Sequence, residues 1–197
     1  MKRRSALGAC LAAVTLAAFG CAHPPSAERG WVALIDGASG LDNWTAVGTA
    51  EWKAGDGAIH ASTGSGYLVS KSAYRDFRIR AEFWAAEDTN SGIFLRLADA
   101  KEITPANSYE VNIYDRRPDP AYGTGAIVNF AKVVPMPLAA GRWNTYDITA
   151  KGPHIVVMLN GTKTVDIRDE SFTSGPIALQ SAGGVIRWRK VMVRPLQ

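Results

Sequence analysis

Asn90-Ser91-Gly92-Ile93-Phe94-Leu95-Arg96 and Tyr109-Glu110-Val111-Asn112-Ile113-Tyr114-Asp115 are both two-periodic. In the first run Ile93, Leu95 and Leu97 alternate with Phe94 and Arg96. In the second, Tyr109, Val111 and Ile113 alternate with Glu110, Asn112 and Tyr114. A period of two is the side-chain period of a strand, so each run has one face for a core and one for something else. That second face gathers a guanidinium, a carboxylate, an amide and aromatic rings. The set matches a saccharide, whose rings offer hydroxyls at the edge and C–H groups on the face. Arg96, Glu110 and Asn112 are expected to converge from neighbouring strands onto one hollow.

Outward from these runs, the chain continues as short strands separated by turn residues, with no sustained helical period. Expected strands are Trp31 to Leu34, a strand at Trp44, Glu51 to Lys53, Ala58 to Ala61, Tyr67 to Ser70, Phe77 to Trp84, Gly92 to Leu97 and Tyr109 to Tyr114. They continue with Ala126 to Phe130, Trp143 to Ala150, His154 to Leu159, Thr162 to Asp166, Ile177 to Gln180 and Val185 to Arg194. So many strands exceed one flat sheet, which predicts an all-β sandwich of two packed sheets. Asn160-Gly161 between two apolar runs is the signature of a type I′ hairpin, and Asp56-Gly57, Gly183-Gly184 and Ser174-Gly175-Pro176 mark further turns. Trp31, Trp44, Trp52 and Trp143 read as core.

The N-terminus is a separate element. Lys2-Arg3-Arg4 followed by apolar Ala6 to Phe19 is a basic n-region and a short h-region, too short to span a bilayer. Residues 1–20 read as an export signal, 21–29 as a tether containing Pro24-Pro25, and 30–197 as a single domain. Ala18-Phe19-Gly20-Cys21 resembles a bacterial lipobox, so Cys21 is a candidate lipidation site and the only membrane link expected; ordinary secretion with cleavage at Gly20 or Ala22 is the alternative. The expected location is the periplasm, with an anchor in the outer membrane. Cys10 and Cys21 are the chain's two cysteines, so the mature domain has no internal disulfide and depends on its core. Removing three cations from the 22 Lys and Arg leaves 19 against 18 acidic residues. A net +1 gives nucleic-acid binding no electrostatic support.

An ordered series of motifs carries a family likeness. Trp31-Val32-Ala33-Leu34-Ile35-Asp36-Gly37, Leu41-Asp42-Asn43-Trp44, Tyr74-Arg75-Asp76-Phe77, Asn90 to Arg96 and Tyr109-Glu110-Val111 come first. Thr124-Gly125-Ala126-Ile127, Trp143-Asn144-Thr145-Tyr146, Leu159-Asn160-Gly161 and Gly175-Pro176-Ile177-Ala178-Leu179-Gln180 follow. Together they resemble the 3-keto-disaccharide hydrolase domain family over nearly all of Trp31 to Leu196. The resemblance implies a concanavalin-like jelly roll of the lectin and glucanase type, with two antiparallel sheets and a glycoside-processing role. Two positions depart from it. The family often has a histidine soon after Leu-Gln, where this chain reads Gln180-Ser181-Ala182-Gly183, and often Glu-Val-Gln where this chain has Glu110-Val111-Asn112.

A 3-keto sugar has an acidic C2 hydrogen, so its cleavage asks for a base at C2, a donor at the keto oxygen and an acid for the departing oxygen. Glu110 is the expected base, its pKa raised by apolar neighbours. Arg96, Asn112 and Lys132 are the expected polarising groups, and Asn90, Asn129 and Gln180 the hydroxyl or keto contacts. Trp84, Tyr114 and Tyr122 are candidates to stack on a ring. A cross-strand Arg96–Glu110 pair with a purely structural role is the competing reading. Glu82 is a candidate second carboxylate. Asp115 reads as a turn cap, and the proline-rich segment Asp115 to Pro137 as a loop long enough to fold over the site. His23, His60 and His154 lack ligand spacing, so no transition-metal site is expected; a hard divalent cation held by carboxylate and carbonyl oxygens stays open. Two function classes follow: an enzyme acting on 3-keto glycosides, and a non-catalytic carbohydrate-binding sandwich. A ligand-free envelope protein is a third. Glu110 and Arg96 at the floor of an enclosed pocket favour the first, and on a shallow open groove the second.

Overall fold

The structure, a computed structural model, describes residues 29–197. The export segment, Cys21 and the rest of the tether through residue 28 lie outside the described residues. Thirteen strands follow in order: β1 (Val32–Asp36), β2 (Trp44–Gly48), β3 (Lys53–Gly55), β4 (Ala58–Ala61), β5 (Gly66–Tyr74), β6 (Phe77–Ala85) and β7 (Ser91–Leu95), then β8 (Tyr109–Ile113), β9 (Trp143–Lys151), β10 (His154–Leu159), β11 (Thr162–Arg168), β12 (Gly175–Ser181) and β13 (Ile186–Pro195). They form two antiparallel sheets. The larger has the order β11-β10-β9-β6-β13-β4-β3, with β1 also paired to β13, and the smaller has the order β2-β5-β12-β7-β8. The fold is the all-β sandwich that the alternation predicted, in the jelly-roll form that the family resemblance implied. Residues 126–130 do not form a strand of their own; the segment touches β8 through a single bridge, Val111 to Ile127.

Local chemistry explains the turns. Asn160 and Gly161 have φ values of 51° and 80°, both positive as a type I′ hairpin between β10 and β11 requires. Asp56 and Gly57, with φ of 49° and 69°, turn β3 into β4 in the same way. Alternation then fills the space between the sheets. Phe77, Ile79, Ala81 and Phe83 of β6 meet Ile93, Leu95, Tyr109, Val111 and Ile113 of the smaller sheet in one apolar core. Trp188 is fully buried within that core, and Trp44 nearly so.

Two of the tryptophans expected in the core face outward instead. Trp31 lies beneath the guanidinium groups of Arg78, Arg80 and Arg194, at 5.9, 5.6 and 5.2 Å from the ring centre. Trp143 carries Arg189 at 4.4 Å. On β9 Asn144 and Tyr146 point inside, so Trp143 faces solvent, where indole faces bind cations; Trp31 lies just before β1 and covers the same arginine-bearing surface. Trp84 pairs with Trp143 across β6 and β9 and belongs to this outer surface of the larger sheet. It is therefore not a stacking platform for the smaller sheet. Glu82 is on the same surface, 2.5 Å from Arg189 Nε, and is not a second carboxylate for Glu110.

The largest departure is Arg96. Its φ of 55° is left-handed, which ends β7 and inverts the side-chain alternation beyond it. Leu97, expected inside, packs with Val69, Phe94, Ile103 and Ala178 on the outer face of the smaller sheet. Arg96 turns the other way and is buried. Its Nε donates to Arg75 O at 2.9 Å, its Nη1 to Gly152 O and Phe172 O at 2.9 and 3.1 Å, and its Nη2 to Asp76 Oδ1 at 3.3 Å. Burial lowers its pKa, opposed by Asp76. One side chain thus ties three loops together at one end of the sandwich.

Arg96→Met keeps the bulk of the stem and removes every one of those donors. The orphaned carbonyls and the bare Asp76 are expected to cost about 3–5 kcal/mol. A thermal melt should fall by roughly 10 °C or more, while ligand affinity of the folded fraction should stay unchanged. An unchanged melting temperature would contradict this placement.

Candidate active site

The site is the outer face of the smaller sheet, built by residues that alternate with its core positions. Ser91, Ile93 and Leu95 point inward, so Gly92 and Phe94 face out; Val111 points inward, so Glu110 and Asn112 face out. The register places Phe94 beside Glu110 and Gly92 beside Asn112. Ala178 pairs with Phe94 and Leu179 with Ile93, and the next step puts Gln180 beside Gly92. Gln180 also pairs with Tyr67 on β5. Tyr67, Gln180, Gly92 and Asn112 therefore form one row across four strands, and Val69, Ala178, Phe94 and Glu110 the row below it.

Two segments wall this face. On one side the loop after Arg96 contributes Leu97, Ala100 and Ile103 to the apolar patch around Phe94, and Ile103 O accepts from the Tyr67 hydroxyl at 3.1 Å. On the other side the segment after β8 folds back along it. Asn112 N donates to Ala126 O, Val128 N to Glu110 O, and Asn112 Nδ2 to Tyr122 O at 2.8 Å. Asp115 staples this segment, accepting from Thr124 Oγ1 at 2.5 Å and from Ala139 N and Ala140 N at 2.9 Å. It is a structural cap, as its position before the Arg116-Arg117-Pro118 turn suggested.

Glu110 is 5% exposed on this face, between the two flanking segments. Burial pushes its pKa up to about 7, and Arg117 is the one charge that opposes the rise. No hydrogen bond contributes to the shift. The carboxylate is thus buried with one opposing cation and no hydrogen-bond partner, and its protonation changes near neutral pH. Gly92 makes room for it: a Cβ there would stand 3.4 Å from Glu110 Cγ and 3.5 Å from its Oε1. Tyr67 meets Phe94 edge-on, ring centres 5.4 Å apart, and its hydroxyl accepts from Gln180 Nε2 at 3.3 Å. Burial raises the Tyr67 pKa, so it stays protonated.

Of the residues singled out in the sequence, Glu110, Asn112 and Gln180 share this face, with Asn90 and Tyr114 flanking the row at its upper end, both half-buried. Tyr122 enters through its carbonyl; its ring stacks under Lys132, 5.4 Å from the ammonium. Lys132 is exposed and lines a separate cavity of about 540 Å³ between residues 132–138 and the β10–β11 hairpin, so it is not a group of the Glu110 floor. Asn129, with φ of 68°, is the exposed tip of the tight turn from Ile127 to Ala131 and does not reach the floor. Arg96 is excluded by its three carbonyl partners, and neither an Arg96–Glu110 pair nor a convergence of the two exists. Sequence reasoning missed Arg117, Tyr67 and the space left by Gly92. Arg117 offered no pattern, being one of two arginines in a turn. Tyr67 was legible as a strand residue and Gly92 as an interruption in a strand, which commonly marks a close approach. Among the described residues, no three His, Cys, Asp or Glu side chains group closely enough to hold a metal.

Residues 30–194 match the model of the 3-keto-alpha-glucoside-1,2-lyase-like domain. The chain belongs to that family. No curated protein matches it in sequence. Among solved structures, a protein of Parabacteroides distasonis ATCC 8503 described by assignment as a glycosyl hydrolase superposes on the lyase-like domain with a TM-score of 0.76. It is 17% identical and covers 88% of this chain and 98% of its own. A second such protein from that source gives 0.71 at 25% identity, over 84% and 99%. The carbohydrate binding module CBM66 of Bacillus subtilis gives 0.58 at 15% identity, over 77% and 95%. Together these likenesses establish the jelly-roll architecture for the lyase-like domain.

The raised pKa of Glu110 has a consequence for stability. Below pH 4.5 the carboxyl is neutral in both folded and unfolded chains. Between 4.5 and about 7 only the folded chain keeps the proton, so stability falls over that window, by about 3 kcal/mol in all. Glu110→Gln removes this loss. The variant should melt with the parent at pH 4.5 and about 5–10 °C above it at pH 8. Equal melting temperatures at both pH values would show that the carboxylate is not buried alone.

Proposed function

We propose that this domain cleaves 3-keto glycosides, with Glu110 as the base that removes the C2 proton. The observation that carries the reading is a buried carboxylate between two flanking segments, free of hydrogen bonds and poised to titrate near neutral pH. The family description, which names a 1,2-lyase of 3-keto-alpha-glucosides, supports the same chemistry. The glycosyl hydrolase assignment of the two Parabacteroides distasonis proteins agrees with glycoside processing at a coarser level.

In this mechanism Glu110 accepts the proton from C2, and the electron pair of that bond moves onto the 3-keto oxygen as an enolate. Collapse of the enolate forms the C1–C2 double bond and expels the aglycone oxygen, which takes up a proton. Addition of water at C1 would complete a hydrolysis; release of the enone would end as a lyase reaction. Arg117, in electrostatic reach of Glu110, takes the role expected of Arg96 and stabilises the negative charge as it passes from carboxylate to enolate. The apolar side made by Phe94 and Tyr67 excludes water and offers a surface to the C–H face of the ring. The chain is further proposed to act outside the cytoplasm, exported by residues 1–20 and held in the periplasm at the outer membrane by a lipid on Cys21.

The deciding assay incubates purified protein with 3-keto-trehalose or a chromogenic 3-keto-glucoside beside the unoxidised parent. Turnover of the keto compound alone is expected. Glu110→Gln should reduce it by about 10²–10⁴-fold. Since the base must be ionised, kcat/KM should rise with pH through about 7 and level off above it. Binding of the keto sugar with no turnover would instead identify a carbohydrate-binding module.

A further inference from the structure

The row that crosses Gly92 contains two buried amide oxygens with no partner, Asn112 Oδ1 and Gln180 Oε1. Their orientation is set by their nitrogens. Asn112 Nδ2 is taken by Tyr122 O and Gln180 Nε2 by the Tyr67 hydroxyl, whose own proton goes to Ile103 O. Each amide therefore commits one N–H to the protein and leaves its oxygen unused, Asn112 being 0% and Gln180 9% exposed. A buried acceptor without a donor is rare in a folded protein, and two in one row beside an unpartnered carboxylate describe a place made for donors. They cannot hold a keto oxygen, which is itself an acceptor.

The two amides stand on β8 and β12, with β7 between them. Neighbouring strands are about 4.8 Å apart, so the backbones of the pair are separated by roughly 10 Å. Gly92 lies at the midpoint and has no side chain. A hard cation draws six to eight oxygens to within about 2.6 Å of itself; here one carboxylate, balanced by Arg117, and two amides spread across three strands suit it poorly. A pyranose laid against the Glu110 carboxylate where it leans over Gly92, with hydroxyls at opposite edges, fits the spacing.

We propose that Asn112 and Gln180 are specificity-determining hydroxyl acceptors that grip a 3-keto pyranoside from both sides of its keto carbon, Asn112 taking the C2 hydroxyl and Gln180 the C4 hydroxyl. The assignment rests on the reading of Glu110 as the C2 base: Asn112 shares a strand and a face with Glu110, so it meets the hydroxyl on the carbon that loses the proton. Gln180 then meets the hydroxyl across the ring. The keto oxygen between them points toward Arg117. A substrate is accordingly a pyranoside with both hydroxyls free, and a C4-deoxy or C4-substituted sugar is disfavoured.

The test is a binding cycle by calorimetry on the full-length protein carrying Glu110→Gln, so that ligand survives the measurement. A methyl 3-keto-glucoside and its 4-deoxy analogue are each titrated into this protein and into the same protein with Gln180→Met. The 4-deoxy analogue should bind at least tenfold more weakly than the parent sugar to the protein with Gln180. Gln180→Met should weaken the parent sugar by a similar factor and leave the 4-deoxy affinity unchanged, because the two deletions remove one interaction. The deoxy comparison needs no change at Gln180 and stands even if Gln180→Met fails to fold. Equal affinity for the two sugars, or strictly additive losses, would overturn the assignment, as would binding that EDTA abolishes and calcium restores. Each outcome is read from binding and is independent of turnover. A failed keto-sugar assay with a coupled cycle would refute Glu110 as base while leaving the acceptor pair in place.

Discussion

The left-handed turn at Arg96 determines what the neighbouring face can do. Were β7 to continue by simple alternation, the guanidinium would stand two residues beyond Phe94 on the face of Glu110, within reach of pairing with it. A carboxylate beside an arginine is held ionised well below the neutral range and is spent on structure. Instead the backbone reverses its phase, Arg96 is tied to Arg75, Gly152, Phe172 and Asp76, and Leu97 takes its place beside Phe94. Glu110 is left among apolar groups with only Arg117 in range.

Much of the architecture was legible because the sandwich obeys a single rule, a period of two, from Phe77 to Phe83, from Tyr109 to Ile113 and from His154 to Leu159. Asn160-Gly161 fixed one hairpin through backbone sterics alone. The outward tryptophans were not legible in the same way, since an indole in an alternating pattern can cover guanidinium groups on the surface as readily as fill a core position. Residues 126–130 look like a strand and behave like an edge cover, bonded to β8 at its ends and broken by the turn at Asn129.

The candidate site divides along the same line. Glu110, Asn112 and Gln180 were readable from alternation because each lies within a strand, before the alternation stops. Arg96, Lys132 and Asn129 were not, because each lies just past the point where regular alternation stops, at a strand end, in a loop or on a turn tip. Trp84 obeyed the alternation but belongs to the other sheet, and pairing between sheets is not written in the local sequence. What alternation could not supply was the unused hydrogen-bonding capacity: that Asn112 and Gln180 each commit a nitrogen to the protein and keep an oxygen free emerges only from tertiary contacts.

The proposed chemistry requires Glu110 to be a solitary carboxyl, and its titration reports this directly. Carbon-13 chemical shifts of the Glu110 side-chain carboxyl, followed by NMR from pH 3 to 9 and assigned by its disappearance in Glu110→Gln, should show a midpoint at about 7. A midpoint at or below the 4.5 of an ordinary glutamate would mean that the group is solvated or ion-paired, and would contradict the proposed base.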